Sequence, residues 1–382
     1  MRATIHRAEL LNAARCAAAI APISSPIKEM VCILLETDAA SGKVTVTATN
    51  VETSLEQKLS CTVQEDDALA INARLLVSIL EKLPGDMVEL RRRDRDAKAL
   101  LQSGDATYLI PIFERGAFPK PDIPFPEDTV RISGIPSMAK RTVFAASTEK
   151  DPDRPLLKCV NLMFTKDGLR AAGSNGTCLV SAKGDQKSVG DISFLIPALS
   201  LNKLAHMCSD QDEFRVGTTG KNLVFMRENF LFSTRIMEGA YIDMDRLTGS
   251  IVSLFTVLTD VPDLRKGMES AVAVDPDSKI ALSFEGQRLT FRCTGVYGSA
   301  ESSVDVIPMS GTAQGEYWFL SKQLLLCMRS LKGTVHLSMA QGGMLILQTD
   351  DAFYMQTATR PAVSPAKAKA SAAKKTVQKQ AA

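Results

Sequence analysis

The sequence predicts an α+β protein made of three tandem copies of one unit, and three observations carry that prediction. One helical segment is written three times, at residues 72–83 (NARLLVSILEKL), 197–208 (PALSLNKLAHMC) and 321–332 (SKQLLLCMRSLK), with starts 125 and 124 residues apart. Each copy follows a pair of alternating strands and precedes three short strand-like runs. A further helix opens each unit, at residues 9–19, 136–148 and 263–274. A period this regular marks a repeat architecture.

In the first repeated helix Leu75, Leu76, Ile79, Leu80 and Leu83 recur at helical spacing and form an apolar face. Asn72 and Ser321 are the expected N-caps, and Pro84-Gly85 and Gly333 the expected stops. The strand pairs are residues 43–55 (KVTVTATNVETSL), 168–181 (GLRAAGSNGTCLVS) and 288–306 (RLTFRCTGVYGSAESSVDV). Val44, Val46 and Ala48 alternate with threonines, the period-two pattern of a half-buried strand. The runs after the helices are VELRRR, AKALLQ and ATYLIPIF; FRVGTTG, NLVFMR and FLFSTRIM; and VHLSMAQ, MLILQT and AFYMQTAT. Pro119, Pro121, Pro124 and Pro126 crowd one linker, and residues 238–250 (EGAYIDMDRLTGS) form the second break. The expected units are therefore 1–124, 125–246 and 247–360. Residues 361–382, rich in alanine and lysine without apolar periodicity, read as a disordered basic tail.

Composition bounds the function. The 382 residues are 45% hydrophobic and 23% charged, ordinary for a soluble globular chain. No apolar run reaches the ~18 residues of a membrane span. Glu9 and Arg15 interrupt any signal-peptide core, and the start reads as a short strand and a helix; the cytoplasm is the expectation from the free thiols below. The whole chain carries +2; less the tail's five lysines, residues 1–360 carry −3. A mildly acidic body binds nucleic acid only through a local arrangement of cations. The eight cysteines, at 16, 32, 61, 159, 178, 208, 293 and 327, form no CxxC pair and sit in apolar stretches, as buried free thiols do. Only three histidines occur, each isolated, so no metal site is expected. TTGKN lacks the glycine spacing of a phosphate loop, and HExxH and nucleophile-elbow motifs are absent. Asp210 and Asp212 read as solvent-facing acids in a polar turn. No catalytic constellation and no cofactor site is expected.

Three units in this order resemble the beta subunit of bacterial DNA polymerase III, the beta sliding clamp, as a divergent member. The resemblance covers residues 1 to about 360. It rests on VTVTATNVETSL, INARLLVSILEKLPGD and SGDATYLIPIFERGAFP in the first unit, RPLLKCVNLMF and LRAAGSNGTCL in the second, and the closing strand FYMQTATR. It implies three copies of the DNA-clamp fold, with helices lining a ring and antiparallel sheets outside. The ring is a head-to-tail homodimer around duplex DNA. The implied role is non-catalytic: a processivity factor that tethers the replicative polymerase and is recognised by clamp loader and polymerase through short linear peptides. A clamp-fold accessory factor outside the main replisome is the alternative. An enzyme on a repeat scaffold is a rival that needs titratable clusters this sequence does not hold.

Within that resemblance, Arg74 and Lys82, Lys140 and Arg141, Lys203 and His206, Arg265 and Lys266, and Lys322, Arg329 and Lys332 are the expected DNA-facing residues. Cations recur off the apolar faces in all three units. They are suited to phosphates without sequence preference, although each alone also reads as a solvated helix face. The implied peptide groove comprises Leu157, Ser174, Gly176, Thr177, Leu179, Ile242, Arg246, Leu247, Met355, Thr357, Thr359 and Arg360. It departs from the family pattern. The usual Thr-Asp-Gly-His-Arg-Leu run is Ser174-Asn175-Gly176-Thr177-Cys178-Leu179, and the closing Met-Pro-Met becomes Thr357-Ala358-Thr359. The implied dimer contact brings Tyr108 and Ile110 on an edge strand to Val272 and Val274; ordinary sheet core is the other reading of the same residues.

Overall fold

A computed structural model describes residues 1–93, 97–148, 154–165, 168–184 and 192–361. The expected tail, beyond Pro361, lies outside the described residues. The α-helices among them are α1 (Arg7–Ile20), α2 (Ala73–Leu80), α3 (Ile135–Thr142), α4 (Ala198–Ala205), α5 (Met244–Gly249), α6 (Val261–Val272) and α7 (Ser321–Ser330). None is long and apolar enough to cross a membrane. The chain packs into two compact units. One joins Met1–Pro136 to Leu199–Met237, and the other joins Ser137–Lys187 and Asp191–Ala198 to the residues from Glu238.

The first unit holds thirteen hydrogen-bonded strands. Its joint is the long strand Thr53–Glu65. Near its start this strand pairs with Phe230–Arg235, in register from Thr53↔Thr234 to Gln57↔Phe230. Further on it pairs with Arg2–His6, and along its other edge with the alternating strand Lys43–Thr49. Residues 230–235 thus extend a sheet begun by residues 1–65, so the expected middle repeat is shared between the units. α1 buries Leu10, Ala13, Ala14, Ala17 and Ile20; its alanines let α2 approach closely. α2 buries Ala73, Leu76, Ile79 and Leu80. Leu75, expected on that face, is 37% exposed because one residue turns it ~100° from Leu76. The Asn72 side chain accepts from the Leu75 N–H at 3.1 Å, the expected cap.

The second unit contains a nine-stranded antiparallel sheet and a four-stranded one. In the larger, Cys159–Thr165, Gly168–Ser174 and Cys178–Lys183 lead to Ala352–Thr357, Met344–Gln348, Thr334–Ala340 and Ser253–Asp260. The smaller runs Gly298–Asp305, Arg288–Gly295, Lys279–Glu285 and Gln314–Leu320. α6 buries Leu264, Gly267, Met268, Ala271 and Val272, and α7 buries Leu324, Leu325, Cys327 and Met328 in the same core. Ser321 is no cap. It is the first residue of α7, and its hydroxyl donates to the Pro276 and Ser278 carbonyls.

One element order recurs three times among the described residues: an opening helix, four or five strands where the sequence suggested chiefly a pair, a second helix, then three strands. The repeated helices end sooner than their periodicity suggests. α2 stops at Leu80 and α7 at Ser330, and Gly333 follows at φ +70°. All eight cysteines are free; Cys32, Cys159, Cys178, Cys293 and Cys327 are buried, whereas Cys16, Cys61 and Cys208 are half-buried, contrary to the uniform burial expected.

Candidate nucleic-acid and peptide interfaces

Arg74 and Ser78 are exposed on α2, and Lys82 lies in the turn after it. Arg74 borders a shallow cleft of ≈ 400 Å³ between α1 and α2, where Arg15 pairs with Glu81 at 2.9 Å. Lys140 is exposed at the end of α3, and Arg265 and Lys266 on the outer face of α6; Lys332 is exposed beyond α7. None of these six cations pairs with a described acid, so their charge is open to an anion. His206 is exposed, with Nδ1 2.7 Å from the Asn202 carbonyl. Lys203 is half-buried; desolvation lowers its pKa and the Glu52 carboxylate partly offsets that. Lys322 and Arg329 sit 3.7 and 3.3 Å from Asp277 and Glu269, exposed pairs worth at most about 1 kcal/mol, easily exchanged for phosphate.

Arg141 departs from expectation. Its guanidinium meets the Asp351 carboxylate at 2.9 Å and donates to the Lys183 and Asp351 carbonyls at 3.0 Å each. It ties the end of α3 to the sheet and is not a free cation. Asp212, read as solvent-facing, pairs with Arg227 at 2.5 Å and accepts from the Ser209 N–H.

Of the expected groove residues, Ser174, Leu179, Met355 and Thr357 lie on one face of the nine-stranded sheet, whereas Thr359 and Arg360 bond to Trp318 and Lys279 of the four-stranded one. Leu179 registers with Met355, and Met355 with Ile346. Leu179 is 2% exposed and forms the floor, while Met355 is half-buried and reachable. A tight loop closes the end. The Asn175 Oδ1 accepts from the Thr177 N–H, the Thr177 hydroxyl and the Cys178 N–H at 2.8–3.0 Å. Gly176 takes φ +89°, which needs a residue without Cβ, and Leu157 lies beside it. The Ser174 hydroxyl donates to the Cys178 carbonyl at 2.8 Å. Thr357 donates backbone and hydroxyl to the Thr177 carbonyl, and Thr359 likewise to Trp318. Their hydroxyls are therefore committed within the fold. The Arg360 carbonyl accepts from Lys279 at 2.8 Å, leaving its side chain exposed.

α5 lies at this face, capped by Asp243, whose Oδ1 accepts from the Arg246 N–H at 3.0 Å. Arg246 is exposed and Leu247 half-buried. Ile242 lines a cleft with Met163, Arg170 and Met244. Behind the loop, burial raises the Cys178 thiol to about 12 and Cys159 to about 11, so both stay protonated and inert. Ile346, Phe353 and Arg170 share this face and were missed in the sequence. Alternation along ILQ and FYMQT places the first two outward.

The expected dimer residues divide. Ile110 and Val272 are each 4% exposed and fill their own cores, and Val274 packs partly against the second unit's core. Tyr108 is half-buried on Ala106–Pro111, the last strand of its sheet, and Leu109 beside it is 42% exposed. Gly298–Asp305 also ends its sheet, and Val296 and Tyr297 at its hairpin tip are 86% and 89% exposed. Among the described residues, no group of His, Cys, Asp and Glu is placed to hold a metal ion.

A Chlamydia pneumoniae beta sliding clamp is 25% identical over 252 residues, 64% of this chain and 66% of that protein, just under two thirds of its length. The Bacillus subtilis DNA polymerase sliding clamp superposes with a TM-score of 0.83 at 18% identity, over 95% of this chain and 100% of that one. The DNA polymerase III subunit beta of Pseudomonas aeruginosa gives 0.81 at 19%, over 94% and 100%. The fold is therefore that of the sliding clamps. Residues 1–122 match the N-terminal domain and residues 130–243 the central domain of the DNA polymerase III beta subunit, and the chain belongs to that family as a divergent member.

Proposed function

We propose that this protein is a DNA sliding clamp: a non-catalytic ring that encircles duplex DNA in the cytoplasm and tethers the replicative polymerase. The observation that carries the reading is the recurrence of one helix-and-sheet unit three times with unpaired cations at its helices: Arg74 and Lys82, then Lys140, then Arg265, Lys266 and Lys332. Such cations hold phosphates without reading bases, so attraction is compatible with sliding. The three units are 1–124, 125–246 and 247–360, followed by a basic tail. Two copies close head to tail through the open edges Ala106–Pro111 and Gly298–Asp305, because heterologous contacts that close give a ring. The floor of Leu179, Met355 and Ile346 takes short peptides from the clamp loader and the polymerase.

The test is topological. Loaded on nicked circular DNA, the protein stays through gel filtration and is lost once the circle is cut. Equal loss from intact and cut circles rejects the ring.

A further inference from the structure

The sheet face that carries the groove continues past its apolar floor. The row Leu179, Met355, Ile346 is followed two residues along by Ser181, Phe353, Gln348. Two residues further comes the row Ser193, Met163, Arg170, Lys183. Arg170 and Lys183 are half-buried, and neither side chain forms a hydrogen bond or ion pair with a described residue. They stand at clefts of ≈ 390 and ≈ 350 Å³. Arg170, Ser181 and Met244 line both clefts, so the two adjoin on this face.

None of the described acids nearby forms an ion pair with these cations. Asp351 is held by Arg141 at 2.9 Å and by the Thr349 hydroxyl, and Asp243 caps α5. Asp350, on the wall of the larger cleft, is exposed to solvent. A half-buried guanidinium without an acceptor has lost part of its hydration and gained no partner, a state that favours an incoming anion. Its planar fork matches a carboxylate in two parallel hydrogen bonds.

We propose that Arg170 and Lys183 bind a carboxylate of the partner peptide. The specificity is then for an acidic residue spaced from the apolar anchor. This rests on the peptide-groove reading above. The spacing follows from the register. Arg170 stands four residues along its strand from Ser174, and Lys183 four from Leu179. That is ~13 Å of strand, spanned by about four residues of an extended peptide. The apolar residues beside the cations, Met163, Met244 and Phe353, favour a peptide over a polyphosphate chain.

The experiment uses two fluorescent, end-blocked peptides with a Leu-Leu anchor and, about four residues away, either glutamate or glutamine. Both are titrated into the full chain, into Arg170→Gln/Lys183→Gln, into Arg170→Lys and into Met355→Ala. The glutamate peptide binds the native protein about tenfold tighter. The ratio falls to one in the double variant and is intermediate in Arg170→Lys, which keeps the charge and loses the fork. Met355→Ala weakens both peptides and preserves the ratio. Thermal melting of the double variant stays within about a degree or two of native, because no hydrogen bond or ion pair with a described residue is removed. A ratio near one in the native protein, or one that survives in the double variant, overturns the proposal. If the two peptides bind equally and Met355→Ala weakens both, the groove stands and the cationic extension falls. Binding of neither overturns both, and displacement by a short single-stranded oligonucleotide in preference to the glutamate peptide reassigns the cations to nucleic acid.

Discussion

Gly173→Ala tests how α3 is seated beside the groove. Gly173 lies in the strand Gly168–Ser174, next to Ser174 of the peptide loop. A Cβ built there comes 2.5 Å from the Thr142 carbonyl oxygen and 3.4 Å from its carbon. Ordinary contact needs at least ~3.2 Å, so the end of α3 must retreat by about 0.7 Å or the strand must bow. Neither yields cheaply. Thr142 is fully buried, its hydroxyl donates to the Met138 carbonyl at 2.7 Å, and Arg141 beside it is anchored to Asp351 and Lys183. Overpacking of this kind costs ~1–3 kcal/mol, and contact with backbone rather than a side-chain tip places it at the upper end, about 2–3 kcal/mol. At ~2–4 °C per kcal/mol, the melting temperature falls by about 5–10 °C. Hydrogen exchange should quicken in α3 and in Cys178–Lys183 before it quickens in α6. Gly176→Ala is the comparison: its φ of +89° is strained, but its Cβ meets Leu157 only at an ordinary 3.6 Å, so the cost is the backbone strain, about 1–2 kcal/mol. A melting temperature for Gly173→Ala equal to or above that of the native chain would refute the packing argument.

Met355→Ala removes three heavy atoms from a half-buried side chain; at ~0.8 kcal/mol per methylene, with about half still to be covered by a ligand, peptide affinity drops about tenfold in an anisotropy titration. Leu179→Asp, at 2% exposure, instead buries a carboxylate and unfolds the second unit in a melting scan. Tyr108→Asp gives a monomer by light scattering, whereas an unchanged dimer rules out the Ala106–Pro111 edge. Arg74→Ala with Lys140→Ala shortens retention on circular DNA and flattens its salt dependence without changing sequence preference; base-selective binding would contradict the phosphate reading. Between pH 9 and 11 the melting temperature falls. The Cys32, Cys159, Cys178 and Cys208 thiols are raised from 9.0 to about 11 or 12, so the folded state keeps protons that the unfolded chain releases. Stability is full below pH 9 and is lost as pH rises towards those values; Cys159→Ala with Cys178→Ala reduces the slope, and an unchanged slope refutes the assignment.

The repeat was legible because its signals are local. Leucines at helical spacing and threonines alternating with valines each report a backbone state without reference to a partner. Where sequence reasoning missed, the deciding contact was distant in the chain. Arg141 looks like its neighbour Lys140, but Asp351, 210 residues away, claims it. Ile110 and Val272 are apolar at the places where an interface would be, yet their own units already cover them. Arg170 lies in the run LRAAGS and gives no sign in the sequence that its guanidinium lacks a counter-charge among the described residues. Ser321 is a good capping type, but the carbonyls of Pro276 and Ser278 engage its hydroxyl first.

The strand Thr53–Glu65 has a consequence for how the protein is made. Its pairing with residues 230–235 cannot form until those residues have left the ribosome. At ~5–20 residues per second, roughly 170 residues of further translation take about 10–30 s. Throughout that interval the nascent first unit presents an unfilled strand edge, the kind of surface that recruits another chain. Much of Thr53–Glu65 resists such pairing: Glu56 and Lys58 put charge along it, and Glu65 ends it. Production of this protein is therefore sensitive to the elongation rate over the stretch that separates the two strands.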